Sequence, residues 1–487
     1  MQRAFALAFI FLASAWGASL PTQGQDTPFI RVLLSYQAGA ASFEERYLFP
    51  SLSLVPQGGS VQIASGPRRE NLRPVVTLFP NRPLTFSSQN GRLVVAFEGL
   101  VFPLEAVAQL KPAEAKTPLR YRLLWPSGRA LEYPGELWLE SRGDGLLVVN
   151  AVELQTYLKR VLPSEMPVHF HLEALKAQAV AARTYAYTRR QAQSFWKRFG
   201  ADLDDSSNEQ AYNQTRPHPT TDAAVDSTLG QILAYRNTPI QSFYFSTSPG
   251  ATASIEEVWM DRPAAPYLKG RPQSHPAPAS IGTEAEALAF FQNWNPQGFF
   301  DAESPFWRWK ISLSREELEA LLSRTLPERA QVAPAFVQSR GGPPSLSEKG
   351  FVLGRLQQIR VIRRSPGGYV GELEIQTSSG HYRVQRESHI RQLLRPDRAF
   401  TGGKDVVLER WQGEPLLNFP TLPSAAFALE EKRDVTGQLL GLTLWGGGLG
   451  HGVGMSQYGA QGLARRGWNY RQILGHFYPG STIQRIP

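Results

Sequence analysis

The sequence predicts an α+β fold: a turn-rich, mostly β N-terminal region followed by a mixed α+β core with an inserted segment. Three observations predict it. Strand-length apolar runs punctuated by Gly, Pro and Asn fill the chain to about residue 130. One long stretch, from about His171 to Ser194, carries a helical period instead, with Leu172, Leu175, Ala179, Ala182 and Ala186 as its apolar stripe. Gly 42 and Pro 37 are high but aperiodic among 487 residues, which demands many turns and excludes a collagen-like chain.

Composition narrows the chemistry. Hydrophobic residues at 42% and charged ones at 19% are ordinary for a packed protein and exclude wholesale disorder. With Cys 0, a disulfide framework, zinc–thiolate sites and a cysteine nucleophile are all excluded. The net charge of +9 falls by one if Arg3 is removed with a leader. That balance suits an anionic polymer or membrane surface, and no basic run is long enough for a nucleic-acid stripe, so no nucleic acid is expected.

Residues 1–25 read as a secretory signal: Arg3, the apolar run Ala4 to Ala15, then small residues and a polar run to Gln25. The protein is therefore expected to be exported, to the periplasm or cell envelope, with the segment either cleaved or retained as an anchor. Residues 26–130 read as a small β domain, with strands at Phe29–Leu34, Ser60–Ser65, Pro74–Phe79 and Leu93–Phe97. Residues 131–274 form the first part of the core. They open with a hairpin turning at Arg142–Gly145, then a short helix from Tyr157 to Leu162 broken by Pro163-Ser-Glu-Met-Pro167, then the long helix. A polar loop follows, with Asp202, Asp204 and Asp205 read as solvated, and strands at Gln231–Tyr235 and Ile240–Ser246. Residues 275–350 look like an inserted helical and linker segment, its two helices opened by capping boxes at Thr283/Glu286 and Ser314/Glu317. Residues 351–487 complete the core, ending in a glycine-dense run (Gly446 to Gly454) and two helices, Ser456–Arg466 and Asn469–Phe477.

Few residues stand out as chemistry. Glu165 lies between two prolines, which hold a side chain rather than leave it floppy, and Lys176 and Arg183 share one face of the helix beyond it. A rigid acid beside fixed cations can tune a proton donor or bind anions; the alternative is a solvated glutamate on a turn. The glycine run around His451 and Gln457 lets backbone approach a ligand closely, or is simply a tight turn. No frame matches G-x-G-x-x-G, and Ser456 in G-M-S-Q-Y-G is one residue out of step with G-x-S-x-G. His169 and His171 are two apart, no H-E-x-x-H exists and the other six histidines are scattered; they read as surface or core residues, with a three-ligand site as the alternative, and neither metal nor other cofactor is expected.

Longer stretches carry more. Tyr157-Leu158 through PSEMP (Pro163 to Pro167), then EALKAQAVAARTYA (Glu173 to Ala186), resembles the signature of the SpoIID/LytB family, the sporulation stage II protein D and amidase-enhancer proteins. The stretch GHGVGMSQYGAQGLARRGWNYRQILGHFYPGSTI, Gly450 to Ile483, resembles its second hallmark. The resemblance implies a peptidoglycan lytic transglycosylase acting on peptide-free glycan strands, with Glu165 as catalytic acid. It implies substrate-binding roles for Lys176, Arg183, His451 and Gln457. Because the two stretches are each built for close ligand approach, Glu165 is expected to line a cleft near Lys176 and Arg183, with His451 on its opposite wall. The resemblance equally implies an alternative, a non-enzymatic glycan-binding partner of an N-acetylmuramoyl-L-alanine amidase. The chain departs from the family in lacking the cysteine of one zinc-binding branch, and in Pro249 intruding into Ser246-Thr-Ser-Pro-Gly250.

Overall fold

A computed structural model describes residues 28–37, 40, 42–114, 118–125, 128–340 and 350–486, so the segment expected to be a leader lies outside the described residues. The chain divides into two compact units, one of residues up to 169 with 185–229, the other of 170–184 with 230 onward. Helix and strand are mixed throughout, an α+β fold.

The first unit is built on two antiparallel sheets. Seven strands run in the order Leu203–Asp204, Phe29–Leu33, Gly145–Glu153, Glu136–Arg142, Val107–Pro112, Val61–Gly66, Arg73–Leu78; only the first pair is parallel. Six more run Ala130–Pro134, Arg120–Leu124, Ser51–Gln57, Leu84–Gln89, Arg92–Phe97, Leu100–Pro103. Buried and less buried residues alternate along Ser51–Gln57, the signature of a strand with one face on the core. Gly145–Glu153 is buried along almost its whole length because the second sheet covers it. The expected hairpin is present, with Arg142 paired to Gly145 across the turn.

From Glu153 the chain passes straight into a helix, Leu154–Glu165. This corrects the expectation that Pro163 breaks it. A proline removes one backbone donor and crowds the preceding turn, a cost that falls on a single turn when the helix is about to end. Here the Ser164 hydroxyl donates to the Arg160 carbonyl at 2.9 Å and the Met166 amide to Leu162 at 3.0 Å, closing that turn. The helix packs on Pro219–Ser227, with Lys159 and Asp226 paired at 2.9 Å.

A second correction concerns the aspartates. Asp202 and Asp204 are about 1% exposed, not solvated. Asp202 accepts from the Arg31 amide at 2.8 Å, Asp204 from the Tyr47 hydroxyl at 2.5 Å, and Asp205 from the Ser35 amide and hydroxyl at 3.0 and 2.8 Å. Buried carboxylates survive only with such partners, and the partners come from the first strand and its neighbouring helix.

In the second unit, five strands run Leu416–Leu417, Val407–Arg410, Trp309–Ser314, Leu439–Gly446, Phe427–Arg433, and four run Val337–Arg340, Gly380–Gln385, Val370–Thr377, Leu356–Arg364. The helix Arg315–Val332 shares their core through Leu318, Leu321 and Leu322, packed among Trp309, Leu373 and Tyr382. Residues 275–350 thus supply the middle strand of the five. Both of their capping boxes are formed. A parallel pair, Tyr244–Phe245 with Met455–Ser456, and the antiparallel pair Gln231–Tyr235 with Thr482–Arg485 tie the C-terminus to distant segments. Of the expected strand Ile240–Ser246, only Tyr244–Phe245 is regular.

That parallel pair is braced from below by Asp301. Its carboxylate accepts from the Ser248 amide and hydroxyl, each at 2.8 Å, and from the Ser456 hydroxyl, which in turn caps the helix Gln457–Arg465. Burial pushes the Asp301 carboxyl up to about 6, against the opposing pull of Ser456 and Ser248. The folded protein then holds this proton more tightly than the unfolded chain. Stability from it is complete below pH 3.8 and is lost as pH rises through about 6. Asp301→Asn should flatten the melting temperature between pH 4 and 7 relative to the parent, by an equivalent of roughly 3 kcal/mol at most. Parallel curves for the two proteins would refute the assignment.

Candidate functional site

Glu165 is the last residue of its helix, half-buried, rather than a point on a proline-pinned loop. Its Oε1 accepts the Ala211 backbone N–H at 2.7 Å, which fixes the plane of the carboxyl group. The segment that supplies this amide is itself anchored. Tyr157 donates to Gln210 at 3.1 Å, Tyr212 donates to Asn150 at 2.8 Å, and the two rings lie 5.0 Å apart. Ser164 adds a bond to Thr215 at 2.8 Å. All of these groups belong to the first unit. The acid is thus positioned by a strand residue, a helix end and a loop that converge on it.

The other four expected residues belong to the second unit. Lys176 pairs with Glu173 at 2.7 Å and lies 5.9 Å from the Tyr470 ring centre. Burial alone would raise the Glu173 carboxyl, but the Lys176 ammonium and the Tyr470 amide, 2.8 Å away, hold it below the usual carboxylate range. The His171 amide donates to Gln461 at 2.7 Å, and Phe170 packs edge-on against Tyr458. These contacts stitch the start of the long helix, observed as Leu172–Gln191, to the C-terminal motif almost 300 residues later. Glu173, Gln461 and Tyr470 were not picked out by sequence reasoning; only the Glu173–Lys176 spacing hinted at a pair.

Arg183 is fully buried, and its Nη1 donates to the carbonyls of Gln231 at 3.2 Å and Ala179 at 3.5 Å. It holds the helix to the strand Gln231–Tyr235. Arg183→Met should therefore lower stability by about 2–4 kcal/mol through the carbonyls it leaves buried, read as a drop in melting temperature. A variant melting with the parent would show that these carbonyl contacts do not carry stability.

His451 also differs from its expected part as a polar head toward ligand. Its Nδ1 accepts the Val453 amide at 3.1 Å, so Nε2 carries the proton and donates to the Tyr244 carbonyl at 2.9 Å. Trp259, Phe245 and Phe243 surround the ring. Burial pushes its pKa down to about 4, so it stays neutral and both nitrogens serve the backbone. The glycines beside it admit the protein's own groups. A Cβ on Gly452 would sit 2.4 Å from the Tyr369 ring, and one on Gly454 2.0 Å from the Phe243 carbonyl. Gln457 is buried at the first turn of its helix, and its Nε2 has no hydrogen-bond partner among the described residues. No group of three His, Asp or Glu among the described residues is arranged to hold a metal ion.

The family described as Stage II sporulation protein (SpoIID) matches residues 142–235, the stretch that holds Glu165, Lys176 and Arg183. Those residues carry a SpoIID-type domain. Residues 344–454, which include His451, match a domain of unknown function, DUF8618. The chain is 27% identical over 332 residues to the amidase enhancer of Bacillus subtilis (strain 168), covering 67% of this chain and 40% of that one. It is 29% identical over 348 residues to stage II sporulation protein D of Bacillus amyloliquefaciens, covering 69% and 75%. The stage II sporulation protein D of Bacillus subtilis (strain 168) is 27% identical over 349 residues, again 69% and 75%. The helical part of the first hallmark stretch meets the second within the second unit, through His171–Gln461 and Glu173–Tyr470, whereas the part that carries Glu165 belongs to the first.

Proposed function

We propose that this protein works at the cell wall as a lytic transglycosylase on peptide-free peptidoglycan strands, cutting between N-acetylmuramic acid and N-acetylglucosamine. The observation that carries the reading is the placement of Glu165, held by the Ala211 amide at a helix end inside the matched SpoIID stretch. In this reading protonated Glu165 donates to the glycosidic oxygen. Its carboxylate then takes the proton from the muramic acid C6 hydroxyl, whose oxygen closes on C1 to give a 1,6-anhydro end. The substrate supplies the nucleophile, so one carboxyl group serves where glycosidases that use water or a covalent intermediate need two. The net positive charge and the leader-like N-terminus support an exported protein on an anionic envelope polymer.

Similarity to a protein named amidase enhancer supports a second reading, a glycan-binding stimulator of an N-acetylmuramoyl-L-alanine amidase. Mass spectrometry of peptide-free strands incubated with the protein separates the two. Transglycosylation leaves ends lighter by one water than hydrolysis does. Intact strands, with amidase stimulation, would establish the second reading instead.

A further inference from the structure

A cavity of about 500 Å³ opens in the second unit, and no role described so far uses it. Phe300, Trp468 and His476 form one wall, their rings in edge contact at 6.2 and 5.9 Å. Trp468 is 37% exposed yet held in place. Its amide donates to Leu463, Gly467 before it takes the left-handed conformation (φ 87°), and Asn469 after it caps the next helix, Tyr470–Phe477. A residue whose backbone is fixed between two helix ends, with its indole edge-on to His476, is a platform that needs little ordering on binding.

The polar part of the lining is cationic. Arg466 lies 4.5 Å from the Phe300 ring centre and donates through Nη2 to the carbonyls of Gly298 and Phe299. Arg271 lies on the same lining, close enough to His476 to depress its titration further. Burial already pushes the His476 pKa down to about 4, so the imidazole is neutral and the arginines supply the charge. Neither arginine is paired with a carboxylate among the described residues, and no acid lines the cavity. An aromatic platform beside two unpaired guanidinium groups suits a ring with one apolar face and one carboxylate.

We propose that this cavity binds a carboxylate-bearing amino sugar of the glycan, its ring on Trp468 and its carboxylate between Arg271 and Arg466. The identification of that sugar as a muramic acid unit rests on the cell-wall reading above. Without an acid of its own, the cavity binds substrate and does not cleave it.

Isothermal titration with peptide-free glycan strands tests this on the full chain carrying Glu165→Gln, so that the strands stay whole. Trp468→Ala and Arg466→Gln should each weaken binding about tenfold or more. Arg271→Gln, at an exposed position, should do so with no change in melting temperature. Chitin oligomers, which lack the lactyl carboxylate, should bind no better than strands bind Arg466→Gln, and inorganic phosphate should not displace strands. Unchanged affinity in the three variants, equal affinity for chitin oligomers, or displacement by phosphate would overturn the proposal. Binding is measured apart from cleavage. Failure of the parent to release anhydro ends would remove the catalytic reading and leave these affinities standing.

Discussion

Glu165→Gln should abolish the release of fragments ending in 1,6-anhydro-N-acetylmuramic acid, with a loss of roughly a hundredfold or more. The substitution keeps the size of the side chain and an oxygen able to accept the Ala211 amide, so the anchored loop has no reason to move. What disappears is the exchangeable proton, which the proposed reaction needs first on the leaving oxygen and then from the C6 hydroxyl. Mass spectrometry of the products and a melting curve together make the test. Full activity in a folded variant would remove Glu165 from the chemistry, and hydrated reducing ends from the parent would replace transglycosylation with hydrolysis.

Gly454→Ala should produce the largest stability loss of any methyl-sized change in the glycine run. Position 454 has φ 80°, and the added carbon would lie 2.0 Å from the Phe243 carbonyl and 3.3 Å from the Tyr478 ring. That carbonyl already accepts from the Met455 amide at 3.1 Å and the Tyr478 hydroxyl at 2.7 Å, so it cannot retreat without breaking both bonds. Left-handed strain and the clash together should cost about 3–5 kcal/mol, measured as a fall in the chemical denaturation midpoint. Gly475→Ala is the control. It sits within a helix with nothing inside 4 Å of the added carbon, and it should be neutral or mildly stabilising. Equal effects at the two positions would show that the Phe243 carbonyl is not the constraint.

Elements whose signals are local could be read from the residues. Strands such as Phe29–Leu33 and Val61–Gly66, the long helix, and the boxes at Thr283/Glu286 and Ser314/Glu317 each depend on neighbours within a few positions. Readings failed where the deciding partner lies far along the chain. Asp204 looked solvated because Tyr47, its donor, is 157 residues away. His451 looked available because the carbonyl it serves, on Tyr244, is 207 residues away. Pro163 is a different case, since the Ser164 hydroxyl that closes the last turn is adjacent but its direction is not a property of composition. Glu165 was reached through resemblance. Spacing and prolines alone left it level with any glutamate on a turn, and the Ala211 contact that sets it apart comes from 46 residues downstream.

The pairing of Gln231–Tyr235 with Thr482–Arg485 has a temporal side. Ala234 and Thr482 are 248 residues apart, yet they meet across neighbouring strands. A ribosome adding about 5–20 residues per second needs on the order of ten to fifty seconds to cover that interval. Throughout it the earlier strand has no partner on that edge, and the buried face of the long helix waits with it. Contacts this remote in sequence make for slow folding. The nascent chain therefore spends that interval with an open sheet edge, a period in which a holding chaperone would shield it, and closes that edge only when Thr482–Arg485 arrive.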